Sequence, residues 1–136
     1  MDTNIYLNFN GNCEEAFKFY EKNLGAKIQH VFRYQDSPMN DQTPAELKSK
    51  VMHATLTIGD KTVMGSDAPP DRYSKPGGFS INIGSKDVGE AERIFNAMAE
   101  GGQVHMPFAE TFWAKRFGMF IDKFGIPWMV NVEKPM

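Results

Sequence analysis

Cysteine is almost absent from this chain of 136 residues, and long apolar runs are absent altogether. The single cysteine, Cys13, cannot form an internal disulfide, which is typical of proteins in a reducing compartment. No run of about 18 apolar residues occurs, so we expect no membrane span. The first four residues lack the basic and apolar regions of a secretory signal. We therefore expect a cytoplasmic protein that does not act at a membrane.

Basic surplus and nucleotide-binding motifs are missing as well. The net charge is −2, and the 15 basic and 17 acidic residues are interspersed rather than clustered. A nucleic-acid-binding protein would need a concentrated basic face, so we expect no nucleic-acid partner. The chain has no Gly-x-Gly-x-x-Gly, Walker loop, Gly-x-Ser-x-Gly or Cys-x-x-Cys motif, so nothing indicates a nucleotide or an iron–sulfur cluster.

The sequence does contain an internal repeat. Segments 12–28 and 87–104 each begin an amphipathic helix with Glu-Ala, place a bulky apolar pair three residues further on, and end at glycine before an apolar strand. The two alanines are Ala16 and Ala91, which gives an offset of 75 positions (91 minus 16). An offset of about half a small domain predicts two copies of one unit.

Hydrophobic periodicity predicts the order β-α-β-β-β in each copy. We place module 1 at about 1–68 and module 2 at about 77–136, within a single domain spanning 1–136. The proline- and glycine-rich segment 67–78 links the modules, and 36–47 is predicted to be a long loop, a type that often forms lids. The predicted strands are 5–9, 26–34, 50–58, 61–65, 79–83, 103–108, 116–121 and 127–132, and the predicted helices are 13–23 and 88–100. Asn12 is expected to cap the first helix, and Phe17, which lies off the apolar stripe that contains Phe19 and Tyr20, is expected to pack at an edge.

This pattern resembles the vicinal oxygen chelate superfamily, which includes glyoxalase I, bleomycin-resistance proteins and extradiol dioxygenases. Within it the chain is most similar to the PhnB-like group. The matching blocks cover nearly the whole chain, and they are Phe9–Phe17, Phe19-Tyr20, Leu24–Ala26, Val51–Ala54, Ile58–Asp60, Ser66-Asp67, Thr111–Ala114, Arg116–Met119, Asp122–Gly125 and Trp128. The resemblance implies an α+β fold in which two βαβββ modules form an open barrel-like curled sheet with the helices outside. It also implies a homodimer, without deciding whether modules are exchanged between subunits.

In metal-dependent members of this superfamily, four inward-facing side chains from the first and last strands of each module hold a divalent ion. Transferred to this chain, the four positions fall at Ile5, Met64 or Gly65, Ser80 and Met129. None of these is a usual ligand for such an ion. We therefore predict no metal site and no other cofactor.

Aromatic residues and one histidine provide the candidate ligand-binding site. His53 alternates with apolar residues on the third strand and should face inward with Val51, Thr55 and Thr57. There it would contact a ligand or act as a satisfied polar residue of the sheet. The remaining candidates are aromatic residues of two segments and one carboxylate that is equally compatible with a solvated loop: Phe32, Tyr34, Glu110, Phe112 and Trp113.

The function predicted from the sequence is metal-independent binding of a small organic molecule in an aromatic-lined cavity. No catalytic residue is assigned. One alternative is a divalent-metal-dependent lyase or dioxygenase of the same superfamily, with His53 and Glu110 as the candidates for its metal shell. Another is a structural or regulatory dimer without a ligand. The sequence leaves open whether Asn8, Asn82 and Asn131 face inward, where they would add a neutral polar lining.

Overall fold

The computed structural model describes residues 1–38 and 40–135. The chain divides into two compact units, Met1–Ser74 and Lys75–Met136. Each unit contains one four-stranded mixed sheet and one α-helix in the order βαβββ, so the predicted α+β fold of paired modules is confirmed. Among the described residues, no helix has both the length and the apolar character needed to cross a membrane.

The first unit carries its sheet in the order β1-β4-β3-β2. Its elements are β1 (Ile5–Phe9), α1 (Cys13–Leu24), β2 (Lys27–Arg33), β3 (Val51–Ile58) and β4 (Lys61–Asp67). β1 runs parallel to β4, and the other pairs are antiparallel. The predicted loop 36–47 contains short 3-10 helices rather than only irregular chain, and its residue Met39 lies outside the described residues.

The second unit repeats this arrangement with the order β5-β8-β7-β6. Its elements are β5 (Ile81–Gly84), α2 (Val88–Ala99), β6 (Gln103–Ala109), β7 (Ala114–Ile121) and β8 (Pro127–Glu133). β5 is parallel to β8, and β7 is antiparallel to both of its neighbours, β6 and β8. The last residue of the predicted second module, Met136, lies outside the described residues.

The inner face of α1 consists of Cys13, Ala16, Phe17 and Tyr20, which are all buried at the i, i+3, i+4, i+7 spacing of a helix stripe. The expectation that Phe17 packs at an edge is wrong. Its ring meets Phe9 edge-on with centroids 5.9 Å apart. Burying a side chain of this size contributes about 2–3 kcal/mol, so Phe17 is a main anchor of the helix.

The inner face of α2 has the same spacing in Ala91, Ile94, Phe95 and Met98. These residues correspond in burial to those of α1 at an offset of 78 positions (91 minus 13, 98 minus 20). The repeat is therefore confirmed as a structural unit. The buried residues correspond at an offset of 78, so the predicted offset of 75 pairs residues that are three positions, or about one helical turn, out of step. Asp87 is the N-cap residue of α2, and its carboxylate accepts a hydrogen bond from Gly89 N at 2.9 Å.

A buried carboxylate ties the start of α1 to the sheet. Asp67, at the end of β4, is 2% exposed and accepts hydrogen bonds from Cys13 N and Val51 N, both at 2.9 Å. The sequence suggests Asn12 as the capping residue, but its side chain makes no capping hydrogen bond. Asp67 takes that role because a carboxylate from the neighbouring strand reaches two backbone donors at once.

Each sheet packs one face under its helix, and we call the opposite face the distal face. In β1, Leu7 and Phe9 are buried on the helix side, so Tyr6 and Asn8 lie on the distal face of the first unit. In the second unit, Trp128 and Val130 of β8 are buried. Met129 and Asn131, which alternate with these two residues, therefore lie on the distal face of the second unit.

Candidate functional site

The distal face of the first unit holds a hydrogen-bonded pair of a tyrosine and a histidine. Tyr6 Oη lies 3.2 Å from His53 Nδ1, and the two rings are 5.7 Å apart at an interplanar angle of 32°. His53 Nε2 lies 3.5 Å from the hydroxyl of Thr55, a long contact that further restrains the ring. Because β1 and β3 both flank β4, the sheet brings together residues 47 positions apart.

Phe32 lies beside this pair, since it is the cross-strand partner of His53 in the register of β2 and β3. Its ring stacks on that of His30 with centroids 6.3 Å apart and an interplanar angle of 16°. The sheet thus places two predicted site residues, Phe32 and His53, next to each other. Three residues were predicted to face inward with His53. Of these, Thr55 and Thr57 are partly exposed like His53 itself, whereas Val51 is buried.

Tyr34 follows β2 and uses its hydroxyl inside the protein. Tyr34 Oη donates to the backbone oxygen of Asp67 at 2.7 Å. Burial, together with the negative charge of Asp67, raises the pKa of the Tyr34 phenol. This hydroxyl therefore anchors the end of β4, and the ring is what Tyr34 can offer to a ligand.

The predicted site residues of the second unit lie near the end of β6. Phe112 is 88% exposed and Trp113 is 46% exposed, and their rings meet edge-on with centroids 4.9 Å apart. Trp113 also contacts the ring of Phe117 at 5.5 Å. Glu110 forms an ion pair with Lys134 at 3.5 Å. The two aromatic residues are thus brought together, while the carboxylate is engaged by a lysine.

A cavity of about 490 Å³ lies within the second unit. It is lined by Asn82, Gly84, Ser85, Lys86, Lys115, Asn131, Glu133, Lys134 and Pro135. Asn82 is in β5 and Asn131 is in β8, on the distal face of this sheet. The amide oxygen of Asn131 is buried without a hydrogen-bond partner among the described residues. The sequence left open where the side chains of Asn82 and Asn131 face, and in the structure both residues line this cavity.

The strand positions that would hold a divalent ion do not fit one. In the first unit the distal residues of the outer parallel pair are Tyr6 and Met64, which are partners in register. In the second unit the corresponding partners are Asn82 and Met129. Thioethers and neutral amides are poor ligands for hard or borderline ions. Over residues 1–38 and 40–135, no group of three or more His, Cys, Asp and Glu side chains is arranged to hold a metal.

The transfer of the superfamily's ligand positions was also one residue out of phase on β1. Ile5 shares its side of the strand with the buried Leu7 and Phe9, whereas Tyr6 is on the distal face. Gly65 is on the helix side of β4, where a Cβ would lie 2.8 Å from the ring of Phe17. A shift of one residue exchanges the two faces of a strand.

Cys13 is not a reactive thiol. Burial is the main cause that raises the pKa of its side chain, and the charges of Asp67 and Glu14 act in the same direction. A buried thiol that stays protonated is neither a nucleophile nor a metal ligand. Cys13 contributes instead to the apolar face of α1.

Sequence reasoning missed two parts of these sites. Tyr6 was passed over because its strand face was assigned from Ile5. Lys86, Lys115 and Lys134 were overlooked because they are far apart in the sequence and the whole chain is slightly acidic. The signal that could have found them is a lysine shortly after the end of β5, at the start of β7 and directly after the end of β8.

The chain is similar to known proteins in both sequence and fold. A family model described as 3-demethylubiquinone-9 3-methyltransferase matches residues 2–131. Protein YjdN of Escherichia coli (strain K12) is 36% identical over 142 residues, covering 98% of this chain and 97% of that protein. The crystal structure of protein PA1353 from Pseudomonas aeruginosa is 47% identical, with a TM-score of 0.86 and 99% of each chain covered.

A glyoxylase/bleomycin resistance protein/dioxygenase domain from Frankia sp. EAN1pec is 11% identical, with a TM-score of 0.67 and 98% of each chain covered. At this identity the likeness shows the fold alone. Together with the family match, it confirms the resemblance to the PhnB-like group of the glyoxalase, bleomycin-resistance and dioxygenase superfamily.

Proposed function

We propose, for a chain that belongs to the family described as 3-demethylubiquinone-9 3-methyltransferase, that it binds a small organic molecule without the superfamily's metal ion. The observation that carries this proposal is the Tyr6–His53 pair on the distal face of the first unit, beside the ring of Phe32. We do not extend the proposal to methyl transfer, because no motif of the chain is typical of a nucleotide-like methyl donor.

The chemistry of the pair favours a ligand with both a polar and a flat apolar part. A neutral imidazole has one donor and one acceptor nitrogen, and a phenol both donates and accepts. After the 3.2 Å contact between Tyr6 and His53, the pair retains hydrogen-bonding capacity, and Tyr6 is 47% exposed. Phe32 adds an aromatic surface next to these groups. Aromatic surface with a few fixed polar groups is the usual composition of small-molecule sites.

In the second unit, the exposed ring pair of Phe112 and Trp113 is proposed as a separate ligand-contacting surface. Rigid aromatic side chains supply contact area at low entropic cost, which is why they are enriched in recognition sites. Tyr34 is proposed to contribute its ring to the ligand contacts of the first unit, and Glu110 its carboxylate to those of the second, where it also pairs with Lys134. None of these residues is proposed to take part in a chemical step.

The test is ligand binding by the full chain, first found by a thermal-shift screen of small polar aromatic compounds and then measured by calorimetry. His53→Gln should weaken binding of a confirmed ligand by about tenfold, since losing a hydrogen bond and ring contact costs roughly 1–2 kcal/mol. Tyr6→Phe should weaken it less. The matched control is His105→Gln, which changes an exposed histidine of the second unit. If His53→Gln and His105→Gln have equal effects, the proposed site is wrong.

The metal content of the purified protein tests the other half of the proposal. Mass spectrometry before and after dialysis against a chelator should find no ion retained at one per chain. One retained zinc, nickel, manganese or iron ion per chain would contradict the argument from Tyr6, Met64, Asn82 and Met129. The divalent-metal lyase or dioxygenase would then be the better hypothesis.

We further propose that the protein acts in the cytoplasm as a homodimer and forms one domain. The single, buried cysteine supports a reducing compartment. The exposed apolar side chains Val104 and Met106 of β6, which is an edge strand of its sheet, support association with another chain. Light scattering coupled to size exclusion should give twice the mass of the chain, and a monomer at micromolar concentration would refute the dimer.

A further inference from the structure

We infer that the cavity of the second unit is a binding site for a small organic anion that carries a carboxylate or phosphate group together with a hydrogen-bond donor. The site contains none of the residues that the proposed function places in contact with its ligand, and Lys134, which lines the cavity and pairs with Glu110, is the link between the two. It is built by β5, the start of β7 and the end of β8, with the segment that leads into α2. Its volume, about 490 Å³, is within the range of sites for small ligands.

Charge is the first argument. Lys86, Lys115 and Lys134 line the cavity together with one carboxylate, Glu133, whereas the whole chain has a net charge of −2. The lining is therefore positive in a protein that is negative overall. Lysines converging on a concave surface raise the local concentration of anions, since the low-dielectric walls focus the field. Lys134 also holds Glu110 at 3.5 Å, which leaves Lys86 and Lys115 as the stronger candidates.

Neutral hydrogen-bonding groups are the second argument. The amide of Asn82 is exposed on the cavity wall, and the amide oxygen of Asn131 is buried without a partner among the described residues. A buried acceptor without a partner costs free energy, so a bound group that satisfies it is favoured. The terminal torsion of asparagine is broad, so the amide of Asn131 can turn toward a ligand. An anion that also bears a hydroxyl or amine group meets both requirements.

Ser85 shows that the floor of the cavity is ordered by internal bonds. Its hydroxyl donates to the backbone oxygen of Asp87 at 3.2 Å and accepts from Asp87 N at 3.1 Å. Its backbone N donates to the backbone oxygen of Asn131 at 3.0 Å, which ties this segment to β8. The neighbouring Lys86 is thus held on an ordered backbone at the wall of the cavity.

The test is a two-dimensional NMR titration of the full chain with inorganic phosphate, acetate and glycolate at constant ionic strength, with chloride as the reference. Saturable shifts are expected for the backbone amides of Gly84, Ser85, Lys86 and Asn131. Glycolate should bind more tightly than acetate, because it adds a hydroxyl donor to the same carboxylate. Equal affinities for the two would overturn the part of the inference that concerns the asparagine amides.

Variants separate this site from general attraction of anions. Lys115→Gln should weaken phosphate binding by roughly two- to fivefold, as expected for an ion pair near the surface. The double variant Lys86→Gln/Lys115→Gln should weaken it by at least about tenfold, whereas Glu133→Gln should strengthen it. The control is Lys61→Gln, which removes the same charge from an exposed position of the first unit.

The inference is overturned if no anion gives saturable shifts, or if Lys61→Gln weakens binding as much as Lys115→Gln. Shifts spread over lysines of both units would likewise show that phosphate acts only as a counter-ion. The unchanged spectrum of each variant without anion shows that it is folded. Because Tyr6 and His53 take no part, these results are independent of the outcome for the proposed function.

Discussion

Removing the carboxylate of Asp67 tests whether one buried side chain holds the first unit together. Asp67 is 2% exposed and accepts Cys13 N and Val51 N at 2.9 Å each. These donors belong to the first turn of α1 and to the start of β3. In Asp67→Ala both lose their partner in a place that water does not reach.

The expected magnitude follows from the number of orphaned donors. A buried donor left unpaired costs about 1–3 kcal/mol, so two cost about 2–6 kcal/mol. Asp67→Asn keeps one acceptor oxygen and turns an amide group toward the other donor, so it should cost roughly half as much. The backbone oxygen of Asp67, which accepts from Tyr34 Oη, is unchanged in both variants. The loss therefore reports the carboxylate alone.

Urea denaturation followed by far-ultraviolet circular dichroism measures this loss. With a slope of about 1–3 kcal/mol per molar urea, Asp67→Ala should lower the midpoint by at least about 0.7 M. Asp60→Asn is the control, because Asp60 is exposed in the turn between β3 and β4 and should change stability by less than about 0.5 kcal/mol. If the midpoints of Asp67→Ala and Asp60→Asn agree within 0.3 M, roughly the error of such curves, the reasoning about buried donors is refuted.

Two further predictions concern close packing and the thiol. In Gly118→Ala the new methyl group would lie 2.5 Å from the ring of Phe95, so we expect a loss of about 1–3 kcal/mol in the free energy of unfolding, whereas Gly84→Ala has nothing within 4 Å of its methyl group and should lose none. Thermal unfolding compares the two, and equal midpoints would contradict the packing argument. Burial raises the pKa of the Cys13 thiol, so a disulfide reagent at pH 8 should leave it unmodified in the native protein and modify it fully in guanidinium. Fast modification of the native protein would show that Cys13 is accessible.

Sequence periodicity predicted the elements well because each strand and helix carries its own pattern. The two helices, the eight strands and the βαβββ order are found, and every limit is within two residues of its predicted position. Phe17 was misplaced because an apolar stripe read from Phe19 and Tyr20 is rotated relative to the stripe that packs. Only the sheet beneath decides between them, and Gly65 leaves the space that the ring of Phe17 occupies.

Site residues were harder to predict because their neighbours come from distant strands. His53 and Phe32 could be proposed from strand alternation and family resemblance, but the contact of His53 with Tyr6 depends on the parallel pairing of β1 and β4. The role of Asp67 as a cap for α1 depends on the same pairing, and it replaced the local candidate Asn12. Local signals do not contain this information.

The two units show why function has to be sought on their distal faces. Their helix-side faces obey the same rule, since a stripe of i, i+3, i+4, i+7 residues packs on a mixed sheet in each. Packing leaves little freedom there, whereas the distal faces differ: one bears a tyrosine–histidine pair, and the other bears asparagines beside a cavity lined by three lysines. Because a sheet tolerates almost any side chain on a face that its core does not use, the chemistry of those faces reflects what they bind. A neutral hydrogen-bonding face and a positive cavity in one chain predict ligands of different charge, which binding measurements on the His53 and Lys115 variants can separate.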